Sequence, residues 1–169
     1  MENFVELLRQ YLPICWFKHN PLELTRSPGF FGNNLIFYFL VEYFMQANMT
    51  DDPIESFFEV SFETLLTLVF IGIMLFFNKT LYGYVQVTTS LLFCANIVAI
   101  FIVPVLIWLT VSDDPLSYYT MALLFFWDFS LVTYIIKKVV NINTLASIAL
   151  ALLYFITTYF GAFGLGQLI

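Results

Sequence analysis

Five stretches of this chain are almost free of charge and rich in Leu, Ile, Val and Phe, with short polar linkers between them. They cover roughly residues 29–49, 57–77, 84–111, 116–136 and 144–168. An α-helix needs about 20 predominantly apolar residues to cross a hydrocarbon core, so each stretch is long enough to span a membrane. The pattern predicts an all-α integral membrane bundle of five transmembrane helices over residues 29–169. A cytoplasmic or interfacial segment, residues 1–28, precedes it. Within that segment, residues 3–17 mix Leu, Phe, Tyr and Trp with Glu6, Arg9 and Gln10, and Pro13 bends them. A short interfacial helix fits, with Tyr11 and Trp16 at headgroup depth and Lys18 against lipid phosphate. Residues 18–28 hold Pro21 and Pro28 among capping residue types and read as a loop.

The charges orient this array. All six Lys and Arg residues, namely Arg9, Lys18, Arg26, Lys79, Lys137 and Lys138, fall on one side of the five-span reading. The linkers at 50–56 and 112–115 carry Asp51, Asp52, Glu55, Asp113 and Asp114 and no base. Short cytoplasmic loops are enriched in Lys and Arg, which places the N-terminus inside and the C-terminus outside. The first residues lack a basic n-region and Pro13 interrupts their apolar stretch, so the first span is expected to double as the targeting signal.

Composition narrows the function classes. The chain is 61% hydrophobic and 11% charged, far from the soluble average. Its net charge of −6 argues against nucleic-acid binding, which depends on clustered Lys and Arg. No G-x-S-x-G, H-E-x-x-H or Gly-rich phosphate loop is present, and the linkers leave no room for a soluble catalytic domain. The reading is therefore non-enzymatic, with no catalytic residue and no cofactor. His19 is the only histidine and has no convergent partners for zinc, so no metal is expected. Cys15 falls in the tail and Cys94 inside the third span, so no disulfide between them is expected.

The remaining chemistry lies in polar groups within the spans. Glu42 and Glu63 each lie about 10 Å from the outer ends of their runs by helical rise. Asp128 and Asn96 fall near mid-membrane, and no Lys or Arg inside a span is available to pair with the acids. Intramembrane carboxyls are costly and usually face a bundle interior or wet cavity. Glu42, Glu63, Asn96 and Asp128 are accordingly the candidate polar or ion site. The structural alternative for Asp128 is a hydrogen bond to Asn96. Glu59 shares a helical face with Glu63 but reads as an outer headgroup residue, toward which Glu63 could snorkel. The third run, about 42 Å long by helical rise, must tilt or kink. Pro104 supplies a kink, and the carbonyl it frees argues that other helices enclose this span. Gln86, Thr88, Thr89 and Ser90 suit protein-facing or headgroup positions. Gly161, Ala162, Gly164 and Gly166 allow another backbone to approach closely.

The segment KTLYGYVQVTTSLLFCANIVAIFIVPVLIWL (79–109) is similar to the part of the Yip-type membrane protein family where a Gly-aromatic step leads into a Pro-containing span. From Trp127 through IIKKVVNINTLASIALALLY (135–154), the chain resembles that family's last two helices and their basic connector. The DLxGP-type signature of its eukaryotic members is absent, so no functional residue is carried over. The resemblance implies a multi-pass helical protein acting through partners in a bacterial inner membrane.

The leading expectation is a non-enzymatic accessory or scaffold protein embedded in the lipid bilayer and bound to membrane protein partners or to further copies of itself. The alternative is a small transporter or channel subunit that uses the intramembrane acids. In either case, single-cysteine labelling of intact vesicles should place Lys79 and Lys137–Lys138 on one face, and Asp51–Asp52 and Asp113–Asp114 on the other. Labelling of the 112–115 linker from the same face as Lys79 would break the five-span assignment.

Overall fold

The computed structural model describes residues 4–112 and 114–167. Residues 1–3 and 168–169 lie outside the described residues, as does Asp113, one of the outer acids. The described residues are helical throughout their ordered elements, with no strand. Helix α1 spans Phe4–Tyr11, and two 3-10 turns follow at Leu12–Trp16 and Pro21–Glu23. The long helices are α2 (Pro28–Ala47), α3 (Pro53–Phe77), α4 (Tyr84–Val111) and α5 (Pro115–Val140). The last helix begins as α6 (Thr144–Phe155), passes through a π-helical stretch at Ile156–Phe160 and ends as α7 (Gly161–Gly166).

Four helical segments are long and apolar enough to cross a membrane: Pro53–Phe77, Leu81–Val111, Pro115–Val140 and Thr144–Gly166. This is the signature of a multi-pass membrane protein. The fifth expected span corresponds to α2, whose 20 residues include Asn33, Asn34, Glu42 and Gln46. It is not among the four.

Helix starts are written in a repeated local code. Ser27, Asp52 and Asp114 each precede a proline and accept a hydrogen bond from a backbone N–H of the first turn. The side chain satisfies an orphan donor, and proline at the first helical position removes another. This code moves one boundary. Residues 53–56 read as linker from their polarity, but Asp52–Pro53 starts α3 there, so Glu55 is helical. At the other end of α5 the helix continues through Lys137 and Lys138 and stops at Asn141, which takes the left-handed conformation at φ 56°.

The helices close into a ring. Helix α2 lies beside α3 and α4, α4 beside α5, α5 beside α6, and the π-helical stretch and α7 beside α3. Small residues permit the last contact. A Cβ on Gly166 would stand 2.6 Å from Glu59 Cγ, and one on Gly161 would stand 3.0 Å from Leu66 Cδ1. Gly164 has no neighbour within 4 Å, so the expectation of close approach holds for two of the three glycines.

At the end that carries Lys79 and Lys137–Lys138, the ring is filled. Ile71, Leu75, Val87, Leu131, Ile135 and Ala151 are all fully buried there. Lipid offers apolar side chains as good a solvent as the protein does, so this layer is held by close packing more than by water exclusion. Thr88, Thr89 and Ser90 are buried in the same half, as their protein-facing reading predicts. Enclosure of α4 stops at Ala99, its last buried residue. Pro104 lies inside the continuous helix but on an exposed position, so the enclosure expected around it is not found.

The N-terminal segment departs furthest from expectation. Helix α1 forms, but Tyr11 is not at a headgroup surface. Its ring is fully buried against Phe30 and Phe93, and its hydroxyl donates to the Thr25 carbonyl at 3.0 Å. Trp127 Nε1 donates to the Cys15 carbonyl at 3.3 Å, and the Tyr134 hydroxyl donates to the His19 carbonyl at 2.9 Å. Cys94 lies about 15 Å along α4 from Tyr84, and Trp127 about 20 Å along α5 from Val140, by helical rise. The segment therefore runs down the flank of α4 and α5, where side-chain donors satisfy its irregular backbone. Trp16 stays exposed, with its ring edge on Trp127.

This docking overturns the separation of the two cysteines read from the sequence, although no disulfide joins them. The two Sγ atoms stand 3.4 Å apart, both buried and both free thiols. Treatment with a membrane-permeant oxidant should therefore remove both thiols from maleimide labelling in denaturant, without dimer formation, and a reductant should restore them. Rapid modification of Cys15 in the folded protein by a water-soluble maleimide would contradict the docked segment.

Candidate functional site

Polar residues recur at every fourth position of α2: Asn34, Tyr38, Glu42 and Gln46. Residues four apart share one helical face, and here that face points into the ring. The opposite face is apolar and exposed at Ile36, Phe37, Leu40 and Phe44. The helix is amphipathic, with polar groups toward the ring and apolar groups outward.

Each member of the stripe meets a different environment. Asn34 is buried, and its carbonyl and side-chain oxygen accept from Asn96 Nδ2 at 3.1 and 3.2 Å. The Tyr38 hydroxyl donates to Glu63 Oε1 at 2.6 Å, and Gln46 Nε2 donates to Glu59 Oε2 at 2.6 Å. Hydrogen bonds to carboxylates are short and strong compared with neutral ones. Two of the three links therefore tie α2 to α3 through acids, and the third ties it to α4 through paired amides. Glu42 makes no hydrogen bond to any described residue and lines a cavity instead.

That cavity encloses about 650 Å³ between α2, α4, α5 and the last helix. It runs from Met49 and Leu109, near the acidic linkers, down to Leu91, Val132 and Tyr154. Nearer the basic end lie Leu75, Val87, Ile135 and Ala151, all fully buried and none of them at its wall, so the cavity is blind there. Its walls are mostly aliphatic and aromatic. Asp128 projects into it from α5 and, like Glu42, has no hydrogen-bond partner among the described residues. The other polar groups at its wall are largely engaged: Tyr38 with Glu63, Gln46 with Glu59, and Tyr154 with Thr67 at 3.4 Å. Among the described residues, no Lys, Arg or His lines it.

The last helix shapes one wall through its π-helical stretch. Such stretches widen a helix locally and recur at functional sites. Here the stretch follows Phe155 and contains Tyr159, whose rings stack at 5.8 Å and 5° on the cavity side. Phe129 of α5 packs against Phe155 at 5.8 Å.

The four residues singled out in the sequence are thus divided. Glu42 and Asp128 share the cavity, and Glu63 lies behind Tyr38 at its edge. Asn96 does not reach Asp128; it pairs with Asn34, which leaves its own Oδ1 buried and unpartnered. Similar depth on two helices does not determine direction around each axis. On α4 the cavity is lined by Ala95, Val98, Ala99 and Ile102, whereas Asn96 turns toward α2. Glu59 is also corrected: it is 7% exposed, wedged against Gly166 and bonded to Gln46, not a headgroup residue. Tyr38, Gln46, Tyr154 and Tyr159 were missed. The fourfold spacing from Asn34 to Gln46 is the sequence signal that could have found the first two.

Among the described residues, no three His, Cys, Asp or Glu side chains converge in a way that could hold a metal ion. No protein-family model, curated protein or solved structure matches the chain.

The geometry separates carboxyls that hold the fold from those that do not. Tyr38→Phe leaves Glu63 buried without its donor and should destabilise the protein by about 1–3 kcal/mol. Asp128→Asn removes no bond and should leave stability within about 0.5 kcal/mol. Thermal melting in detergent checks both. Equal destabilisation by the two variants would contradict this division.

Proposed function

We propose that the protein is a solute-binding membrane subunit of the small-transporter class, with Glu42 and Asp128 as its working groups. The carrying observation is the cavity of about 650 Å³ that both carboxyls line without a hydrogen-bond partner among the described residues. A carboxyl set inside an apolar bundle without a partner costs free energy, which a group retained only for packing would have no reason to incur. Binding clefts are typically apolar, with a few convergent polar groups, and roughly 300–1,000 Å³ in volume. The blind end favours a binding site exposed to one face over an open channel. A carrier of this kind would act with a second copy or a membrane protein partner that completes the route. The accessory or scaffold reading has only composition and the Yip-type resemblance behind it, and nothing in the site favours it. The Yip-type relation and a bacterial inner membrane are kept as proposals on that resemblance alone.

The finer topology belongs to the same proposal: α2 is a fifth span, with the N-terminus inside and the cavity open to the outside. Three links support it. Tyr38–Glu63 and Gln46–Glu59 run in opposite order along the two helices, so α2 lies antiparallel to α3, and Asn34–Asn96 ties its first half to α4. Segment 18–24 also sits near Gly83 and Tyr134, where Leu22 would overlap a Cβ on Gly83. This gathers Lys18 at the same end as Lys79 and Lys137–Lys138, as the positive-inside rule requires.

Cysteine accessibility tests the cavity directly. In a Cys15→Ser, Cys94→Ser background, Ala99→Cys should react with a charged thiol reagent added from the face of Asp52, and not from the other face. Ala151→Cys, in the packed layer, should react from neither. An inert Ala99→Cys, or labelling from both faces, would contradict a blind cavity.

A further inference from the structure

The ligand class can be taken further, on the basis of the binding reading above. We infer that the cavity takes a lipophilic organic monocation: an apolar, ring-containing body with one ammonium or other onium centre. Charge decides the sign. Among the described residues, Glu42, Asp128 and Tyr159 are the polar side chains in the cavity without a hydrogen-bond partner; two of the three are acids, and no cationic side chain lines it. An ionised carboxylate only accepts hydrogen bonds, so its complement must donate them or carry positive charge. An anionic ligand would give up its hydration for a single free donor, the Tyr159 hydroxyl, and would face two acids with no cation to offset them.

The walls decide the rest of the molecule. A bare inorganic cation wants several oxygen ligands in its coordination sphere. Most of this lining is aliphatic or aromatic, which such an ion leaves unmatched, and no group of three metal-binding side chains occurs among the described residues. A lipophilic body uses those walls. The parallel rings of Phe155 and Tyr159, at 5.8 Å, and Phe129 packed beside them add flat π faces. Cations are drawn to such faces, and more strongly when desolvated. Met45, Met49 and Met121 extend the wall toward the acidic linkers, and unbranched thioethers adapt to ligands of varied outline. The site therefore selects charge and apolar bulk more than one outline.

Three compounds of related shape and different charge test this: tetraphenylphosphonium, triphenylphosphine oxide and tetraphenylborate. Binding is measured to the full-length protein in lipid nanodiscs, with empty nanodiscs subtracted. Tetraphenylphosphonium should bind saturably and slow the labelling of Ala99→Cys. Glu42→Gln and Asp128→Asn, which keep side-chain shape, should each weaken it by about ten-fold or more, the size expected for a lost charge-assisted contact. The oxide should bind at least about ten-fold more weakly, and the borate should not bind saturably. Equal binding of phosphonium and oxide, or phosphonium binding unchanged by both carboxamide variants, would overturn the cation assignment and leave the cavity reading standing. Absence of saturable binding by all three, with Ala99→Cys still reactive from one face, would also overturn the ligand class alone. An unreactive Ala99→Cys would remove the cavity reading beneath it.

Discussion

The inward polar stripe of α2 is the constraint on which the rest of this bundle depends. In the five-span arrangement proposed above, a helix carrying Asn34, Glu42 and Gln46 cannot present that face to hydrocarbon, where unsatisfied polar groups find no water. It must press the stripe against partners, and α3 and α4 provide them: Glu63 for Tyr38, Glu59 for Gln46, Asn96 for Asn34. Those three contacts fix the rotation of α2 about its axis. Rotation then determines that Glu42, in the same row, faces the interior. The cavity is the space left where the stripe meets no partner.

Two other features follow from the same geometry. Because α2 occupies one side of α4, the N-terminal segment that leads into it is brought onto the flank of α4 and α5. There its carbonyls find Trp127 and Tyr134, and Cys15 comes to rest on Cys94. On the far side, α7 closes the ring against α3 because Gly161 leaves room for Leu66 and Gly166 for Glu59, the acid that Gln46 holds. Polar satisfaction and steric closeness thus act together around one pair of helices.

How much of this was legible in the sequence depended on whether a pattern carried direction as well as position. Hydrophobic runs locate helices along the chain, and the limits of α4 are those of its apolar run because a 3-10 turn and Ser112 flank it. Asp52–Pro53 shows the limit of polarity as a guide, since capping chemistry starts α3 inside a stretch that looks like linker. The acids at 42, 63 and 128 stood out because charge in an apolar run is costly. Their division into bonded and unbonded groups did not, since depth along a helix leaves azimuth open. Asn96 and Asp128 share a depth yet face different neighbours. Tyr11 and Cys15 were misplaced for a related reason: an amphipathic segment fits a membrane interface and a protein flank equally well. Distant partners decide between them: Phe93 for Tyr11, and the donors Trp127 and Tyr134 for the backbone at Cys15 and His19.

The most direct measurement is a nitroxide scan along α2 in lipid bilayers, reading collision with oxygen and with a water-soluble nickel chelate. Labels at 36, 37, 40 and 44 should collide freely with oxygen, as lipid-facing sites do, while labels at 34, 38 and 46 should be shielded from both reagents. Position 42 should be shielded from lipid oxygen but reached by the chelate through the cavity. A profile without helical periodicity, with the chelate reaching every position, would place α2 on the membrane surface and contradict the account.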